Sequence, residues 1–215
     1  MNITHFFASS VGKKAIMSLT GAMLGLFLLT HLAGNISMFF GRESFIAYAE
    51  HLHSLGSLIH LFEFGLLIVF ILHVYYALML FFENRKARPV RYAVDRSSGG
   101  STYASKTMPY TGAFIFVFIF VHLMNFHFTD HSISIADIVR NNLQNPLLSF
   151  YYVASVFALG MHTSHGFWSL FQTMGINHPR YDNFLQQGAI VISVIGAAIY
   201  SSFPAFTYLF KSFLL

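Results

Sequence analysis

Residues 15–39 read AIMSLTGAMLGLFLLTHLAGNISMF, and this stretch decides the fold. It holds no Lys, Arg, Asp or Glu, and as a helix it would outreach the roughly 30 Å hydrocarbon core of a bilayer. Lys13 and Lys14 precede it as a signal peptide's basic region would. The apolar run is too long for such a peptide, however, and no small-residue cleavage site follows. We read it as a transmembrane helix. Four further segments pass the same test, at about 58–82, 108–128, 147–171 and 188–210; all lack Lys and Arg, and Glu63 is the one acid within a span.

Composition agrees with an all-α membrane protein built as a five-helix bundle. Of 215 residues, 55% are hydrophobic and 9% charged, against roughly 25% charged in soluble domains. The whole chain, 1–215, reads as one transmembrane domain. Cysteine is absent, which excludes a thiolate-held iron–sulfur cluster, a disulfide framework and covalent haem attachment on this chain. Twelve histidines form the remaining ligand pool. Nothing suggests nucleic acid as a partner; the lipid bilayer is the evident one.

The basic residues give a direction. Lys13, Lys14, Arg85, Lys86, Arg88, Arg91, Arg96, Lys106 and Arg180 fall on one side, whereas Arg42, Arg140 and Lys211 fall on the other. By the positive-inside rule the amino terminus is cytoplasmic and the carboxy terminus outside. Within the large basic loop, Ser97-Ser98-Gly99-Gly100-Ser101 has the composition of a flexible linker. No Gly-Lys-Ser/Thr follows to make it a phosphate-binding loop.

An ionisable residue inside a span is costly and marks function by default. His31, His73, His122 and His162 occupy the first four spans, one on each. Counted from the cytoplasmic face, His31 lies roughly 24 Å deep and His122 roughly 21 Å. Counted from the outer face, His73 and His162 each lie roughly 22 Å deep. Direction and arithmetic therefore sort them into an outer pair, His31 with His122, and an inner pair, His73 with His162. Two imidazoles at one depth on facing helices are what a bis-histidine b-type haem requires. A lone membrane histidine more often bonds a neighbouring helix; four at two matched depths weaken that reading. Gly21, Gly25, Gly34, Gly160 and Gly166 lie in the ligand-bearing spans, where each serves helix packing or leaves room for a macrocycle. His165, one turn from His162, is a rival that depth does not separate.

At these positions the chain resembles the cytochrome b membrane-anchor subunit of succinate:quinone and quinol:fumarate oxidoreductases, of the single-polypeptide, five-helix, di-haem class. The likeness spans nearly the whole chain. It is carried by Lys13 to Gly21 leading into Thr30-His31-Leu32-Ala33-Gly34-Asn35, by His73 and His122, and by His162-Thr163-Ser164-His165-Gly166-Phe167-Trp168. The family pattern of a ligand histidine followed four residues later by glycine and then an aromatic selects His162 over His165. The resemblance implies two haem b groups, menaquinone or menaquinol as substrate, and partner flavoprotein (FAD) and iron–sulfur subunits that interconvert succinate and fumarate. It further implies a multi-pass place in the bacterial cytoplasmic membrane and a quinone site near the outer haem. Some members carry a glutamate two residues before the span-four ligand; Gly160 stands here, so that proton route is not expected.

Glu63, with Glu50 and His60 close in sequence, is the candidate for quinone-site proton transfer. Arg85, Arg88 and Lys106 are candidate haem-propionate partners by charge, although a positive-inside loop is the simpler account of them. Trp168 suits an interface anchor or an inner-haem contact. Two alternatives stand beside the di-haem reading: a haem-free membrane anchor, and a proton-coupled transporter with a histidine relay. The transporter would carry an internal repeat or helices broken at mid-membrane. No internal repeat is expected, and Pro109 and Pro146 fall at span entrances with Pro204 alone inside a span.

Overall fold

A computed structural model describes residues 5, 8–87, 103–130, 132–176, 178–210 and 214. Among these residues the chain is helical, with no strand. The helices are α1 (Ser10–Ile36), α2 (Arg42–His53), α3 (Ser57–Lys86), α4 (Tyr103–Phe126), α5 (Ile135–Leu143), α6 (Pro146–Thr173) and α7 (Asp182–Leu209). Five of them, α1, α3, α4, α6 and α7, are long and apolar enough to cross a membrane, matching the five expected spans.

Local chemistry sets the ends. The Ser9 side chain accepts from the Gly12 N–H at 3.1 Å to cap α1. Asn145 accepts from the Leu147 and Leu148 N–H groups, and Pro146 opens α6 at the one position where a missing N–H costs nothing. A single 3-10 turn, Ser37–Phe40, continues α1. Gly41 (φ 102°) and Gly56 (φ 54°) then bracket α2 with backbone conformations that suit glycine. Several helices run past the apolar windows at the basic end, so that Lys13, Lys14, Glu83, Arg85, Lys86 and Lys106 are all helical. Lys13 of α1 pairs with Glu83 of α3 there. Pro109 departs from expectation. Because α4 begins at Tyr103, this proline lies inside the helix rather than at its entrance.

Burial follows the reverse of a soluble protein. Large apolar side chains cover the outside; Phe62 is 63% exposed and Phe157 69%. Thr207 and Ser155 are completely enclosed, and Thr20, Thr111, Ser149 and Ser193 are buried. In lipid, apolar surface gives no drive for helix association, and small or hydroxyl-bearing residues make the close contacts instead. The α6–α7 seam shows this: Ser149 donates to the Pro204 carbonyl at 2.9 Å, the Thr163 and Ser193 hydroxyls lie 3.1 Å apart, and a Cβ on Gly160 would meet Ala197 Cβ at 3.0 Å.

Beside this seam, α1 packs against α3 and α6, and α4 packs against α6. The diagonals α1–α4 and α3–α6 are not among the closely packed pairs. Phe70 of α3 and Phe116 of α4 stack across the remaining edge with centroids 6.1 Å apart. The densest apolar core sits at the end opposite the basic loops. There Phe45 of α2 and Ala136, Val139 and Leu143 of α5 join Tyr152 and Phe203. Arg42 fastens the cap by donating to both Asp137 oxygens, at 2.9 and 2.6 Å, to Ser134 at 3.0 Å and to the Leu214 carbonyl at 3.0 Å.

Candidate functional site

The four histidines come together as the depth count pairs them. His31 and His122 have ring centroids 5.8 Å apart at an interplanar angle of 85°. His73 and His162 stand 6.4 Å apart at 71°. With a metal–nitrogen bond of about 2.0 Å on each side, two imidazoles on one iron place their centroids roughly 6.3 Å apart. Each pair, moreover, joins helices whose backbones are not closely packed, α1 with α4 and α3 with α6. Facing imidazoles on helices that are not closely packed are what a flat group held between helices would require.

The donor set narrows what that group is. Among the described residues, no group of three or more His, Cys, Asp or Glu is placed to hold a metal ion. Two imidazoles alone do not complete a protein-only zinc or copper site. They do complete an iron whose other four positions belong to a macrocycle, so the residues present fit haem b.

Surrounding residues divide the two pairs by character. The inner pair is polar at its back: Thr20 Oγ1 lies 3.2 Å from His73 Nδ1, and Thr111 Oγ1 lies 3.2 Å from His162 Nδ1. A Cβ on Gly21 would meet His73 Cε1 at 3.2 Å, and one on Gly112 would meet His162 Cε1 at 3.4 Å. The outer pair sits in an aromatic box. Phe27 and Tyr200 flank His31 with centroids at 5.4 and 6.2 Å. Phe118, Phe126 and Tyr152 surround His122 at 5.7, 5.2 and 6.0 Å. Tyr200 also ties α7 to α1 by donating to the Leu28 carbonyl at 2.6 Å. His122 Nδ1 and the Tyr151 hydroxyl are buried without a hydrogen-bond partner.

No family model, curated protein or solved structure matches this chain. The site is therefore read from its own residues. His162, rather than His165, faces His73; His165 instead lines a cleft with Ala104, Ser164, Trp168, Gln186 and Ile190. Of the glycines singled out in the sequence, Gly21 abuts a histidine of the inner pair, Gly25 abuts Phe167, Gly34 abuts Tyr48 and Gly160 serves the α6–α7 seam. Gly166 faces open space.

Glu63 is half-exposed on α3. It lies 3.2 Å from His60 Nδ1 and 3.9 Å from His127 Nδ1. Thr20 and His73 are level, since they touch. Counting from that level, Glu63 and His31 each lie roughly 15 to 17 Å further along antiparallel helices, so the carboxylate is level with the outer pair to within a turn. Glu50 is exposed on α2. Arg85 and Lys106 are exposed at the basic end, and Arg88 falls outside the described residues, as does the Ser97–Ser101 linker. His51 and His53 lie in α2.

Thr20, Thr111, Tyr152 and Tyr200 escaped the sequence reading. The threonines had a legible signal. Thr-Gly-Ala stands at 20–22 and again at 111–113, and the same interval separates Thr20 from His31 and Thr111 from His122. This corrects the expectation of no internal repeat. The tyrosines had no such signal, because aromatic residues are frequent throughout the spans.

Proposed function

We propose that this chain is the di-haem cytochrome b subunit and membrane anchor of a succinate dehydrogenase or fumarate reductase complex. One observation carries the reading: two histidine pairs, at two depths, each at iron-bridging separation across helices that stand apart. The resemblance of the ordered motifs supplies the rest, namely flavoprotein and iron–sulfur partners, menaquinone, and a bacterial cytoplasmic membrane with the amino terminus inside.

Haem b, when bound, would supply a one-electron carrier at each depth. His73 and His162 would hold the inner group and His31 and His122 the outer, with electrons passing between the iron–sulfur partner and quinone. The aromatic side chains around the outer pair would give the outer group an apolar setting. Glu63, level with that pair and hydrogen-bonded to His60, would hold a proton for a quinone oxygen, since quinone takes two electrons and two protons on reduction. Moving one charge across the full membrane potential is worth about 2.3 kcal/mol per 100 mV. Electron transfer through the bilayer is thus coupled to that potential unless protons accompany it.

A reduced-minus-oxidised spectrum of the purified complex tests the assignment, and absence of b-type absorbance defeats it. In the same preparation, His31→Ala and His122→Ala should remove one haem, and His73→Ala and His162→Ala the other. Loss of the same haem from His31→Ala and His73→Ala overturns the pairing. A histidine-relay transporter remains the rival from another class, because the repeat in α1 and α4 fits a transporter as well. It predicts proton-coupled flux in vesicles without haem absorbance. A haem-free anchor predicts assembly with its partner subunits and neither signal.

A further inference from the structure

Seven residues of α1, Met17, Thr20, Gly21, Ala22, Phe27, His31 and Leu32, recur in α4 as Met108, Thr111, Gly112, Ala113, Phe118, His122 and Leu123. Their roles recur with them. Each threonine faces Nδ1 of an inner-pair histidine on another helix, and each glycine presents bare backbone to the same ring. Each phenylalanine packs on its own helix's outer-pair histidine. One turn of sequence thus serves the inner site, and a second, roughly 16 Å along, serves the outer.

The hydroxyls have a defined polarity. Thr20 Oγ1 lies 2.8 Å from the Ile16 carbonyl and 3.1 Å from that of Met17. Thr111 Oγ1 lies 3.1 Å from the Thr107 carbonyl and 3.2 Å from that of Met108. A hydroxyl has one proton, and a carbonyl only accepts, so each threonine donates into its own helix. Its oxygen then accepts from the histidine. Nδ1 must carry the proton, and the lone pair is left on Nε2. Both threonines are almost fully enclosed, at 4% and 8% exposed, so water does not compete for the bond.

We infer that Thr20 and Thr111 are the positioning residues of the inner haem site, an inference that rests on the di-haem reading. Each fixes the tautomer and the ring rotation of its histidine so that Nε2 meets the iron. By accepting a hydrogen bond from Nδ1–H each also makes the imidazole a stronger donor, which would favour ferric over ferrous iron. The outer site lacks this device at His122, whose Nδ1 is buried and unpartnered.

Thr20→Val and Thr111→Val remove the hydroxyl and keep the shape. In the assembled complex, potentiometric titration should show both haems present, with one midpoint moved to more positive potential and the other at its wild-type value. The haem that moves is the one His73→Ala abolishes. Its ferric low-spin electron paramagnetic resonance signal should shift as well, and Thr20→Ser and Thr111→Ser should restore both readouts. Unchanged midpoints and signals in the valine variants overturn the inference, as do equal shifts of both haems. Should the valine variants fail to assemble, proton ENDOR of the unsubstituted ferric complex decides. Nδ1 protons on both inner ligands support the assignment, and a missing one overturns it. Wild-type complex without b-type absorbance removes the di-haem reading itself, whereas haem present with indifferent threonines removes this inference alone.

Discussion

Gly21 bears on the inner site more directly than a packing role would suggest, because its missing side chain is where the His73 ring lies. A Cβ there would come within 3.2 Å of His73 Cε1, closer than ordinary van der Waals contact, and overpacking of this kind costs about 1–3 kcal/mol. Gly21→Ala should therefore lower occupancy of one haem, or shift its spectrum, while the other stays unchanged. Difference spectra of the variant check this. Gly34 makes the contrast. An added Cβ would approach the far end of the Tyr48 ring, but that side chain is partly exposed and free to swing aside, so Gly34→Ala should retain both haems. Glu63 calls for a kinetic readout. Glu63→Gln keeps the shape and removes the charge. It should slow quinone turnover with both haem spectra intact, and unchanged turnover would discard its role.

Among elements, α2 and α5 form a lid whose attachment is electrostatic as well as apolar. Hydrogen bonds from Arg42 and then Ser134 hold the Asp137 carboxyl well below the usual carboxylate range, against a smaller opposing effect of burial. The same bond raises the Arg42 guanidinium. A carboxyl depressed in the folded state stabilises fully above its unfolded value of about 4 and loses that contribution as pH falls below it. Hydrogen exchange of Arg42–His53 and Ile135–Leu143 should thus be insensitive to Asp137 between pH 8 and 5 and rise in stronger acid. Asp137→Asn should raise exchange throughout and remove this part of the acid response. Exchange equal to wild type at pH 7 would show that the apolar core alone holds the lid. Neither short helix was expected from the sequence, because each is too brief and too polar to resemble a span. Of the two, α5 keeps its buried residues Ala136, Ile138, Val139 and Leu143 on one stripe, a periodicity that would have revealed it.

At the scale of the whole molecule, the five long helices alternate in direction and place Lys13, Lys14, Arg85, Lys86, Lys106 and Arg180 at one end, with Arg42 and Arg140 at the other. Freedom from cysteine makes the orientation simple to test. Single replacements Ser132→Cys and Met174→Cys lie at opposite ends and are exposed. In intact cells a membrane-impermeant maleimide should label the first and spare the second. The reverse pattern would invert the topology and exchange the inner and outer labels of the two sites, leaving the pairing intact.

Position along each helix was legible in the sequence, and rotation about the axis was not. Apolar run length gave the spans, basic loops gave their expected direction, and a constant rise per residue put His31 level with His122 and His73 level with His162. Rotation is another matter, since a lipid-facing helix is apolar nearly all round and carries no polar stripe to say which face turns inward. The family resemblance favoured His162 over His165, but only packing shows the His162 ring turned toward His73. Packing likewise set Thr20 and Thr111 behind the inner rings and brought Tyr152 and Tyr200 to the outer ones. The interval shared by α1 and α4 was written in the sequence, but its meaning needed the neighbouring helices, because a threonine is recognisable as a clamp only when the histidine it holds comes from another part of the chain.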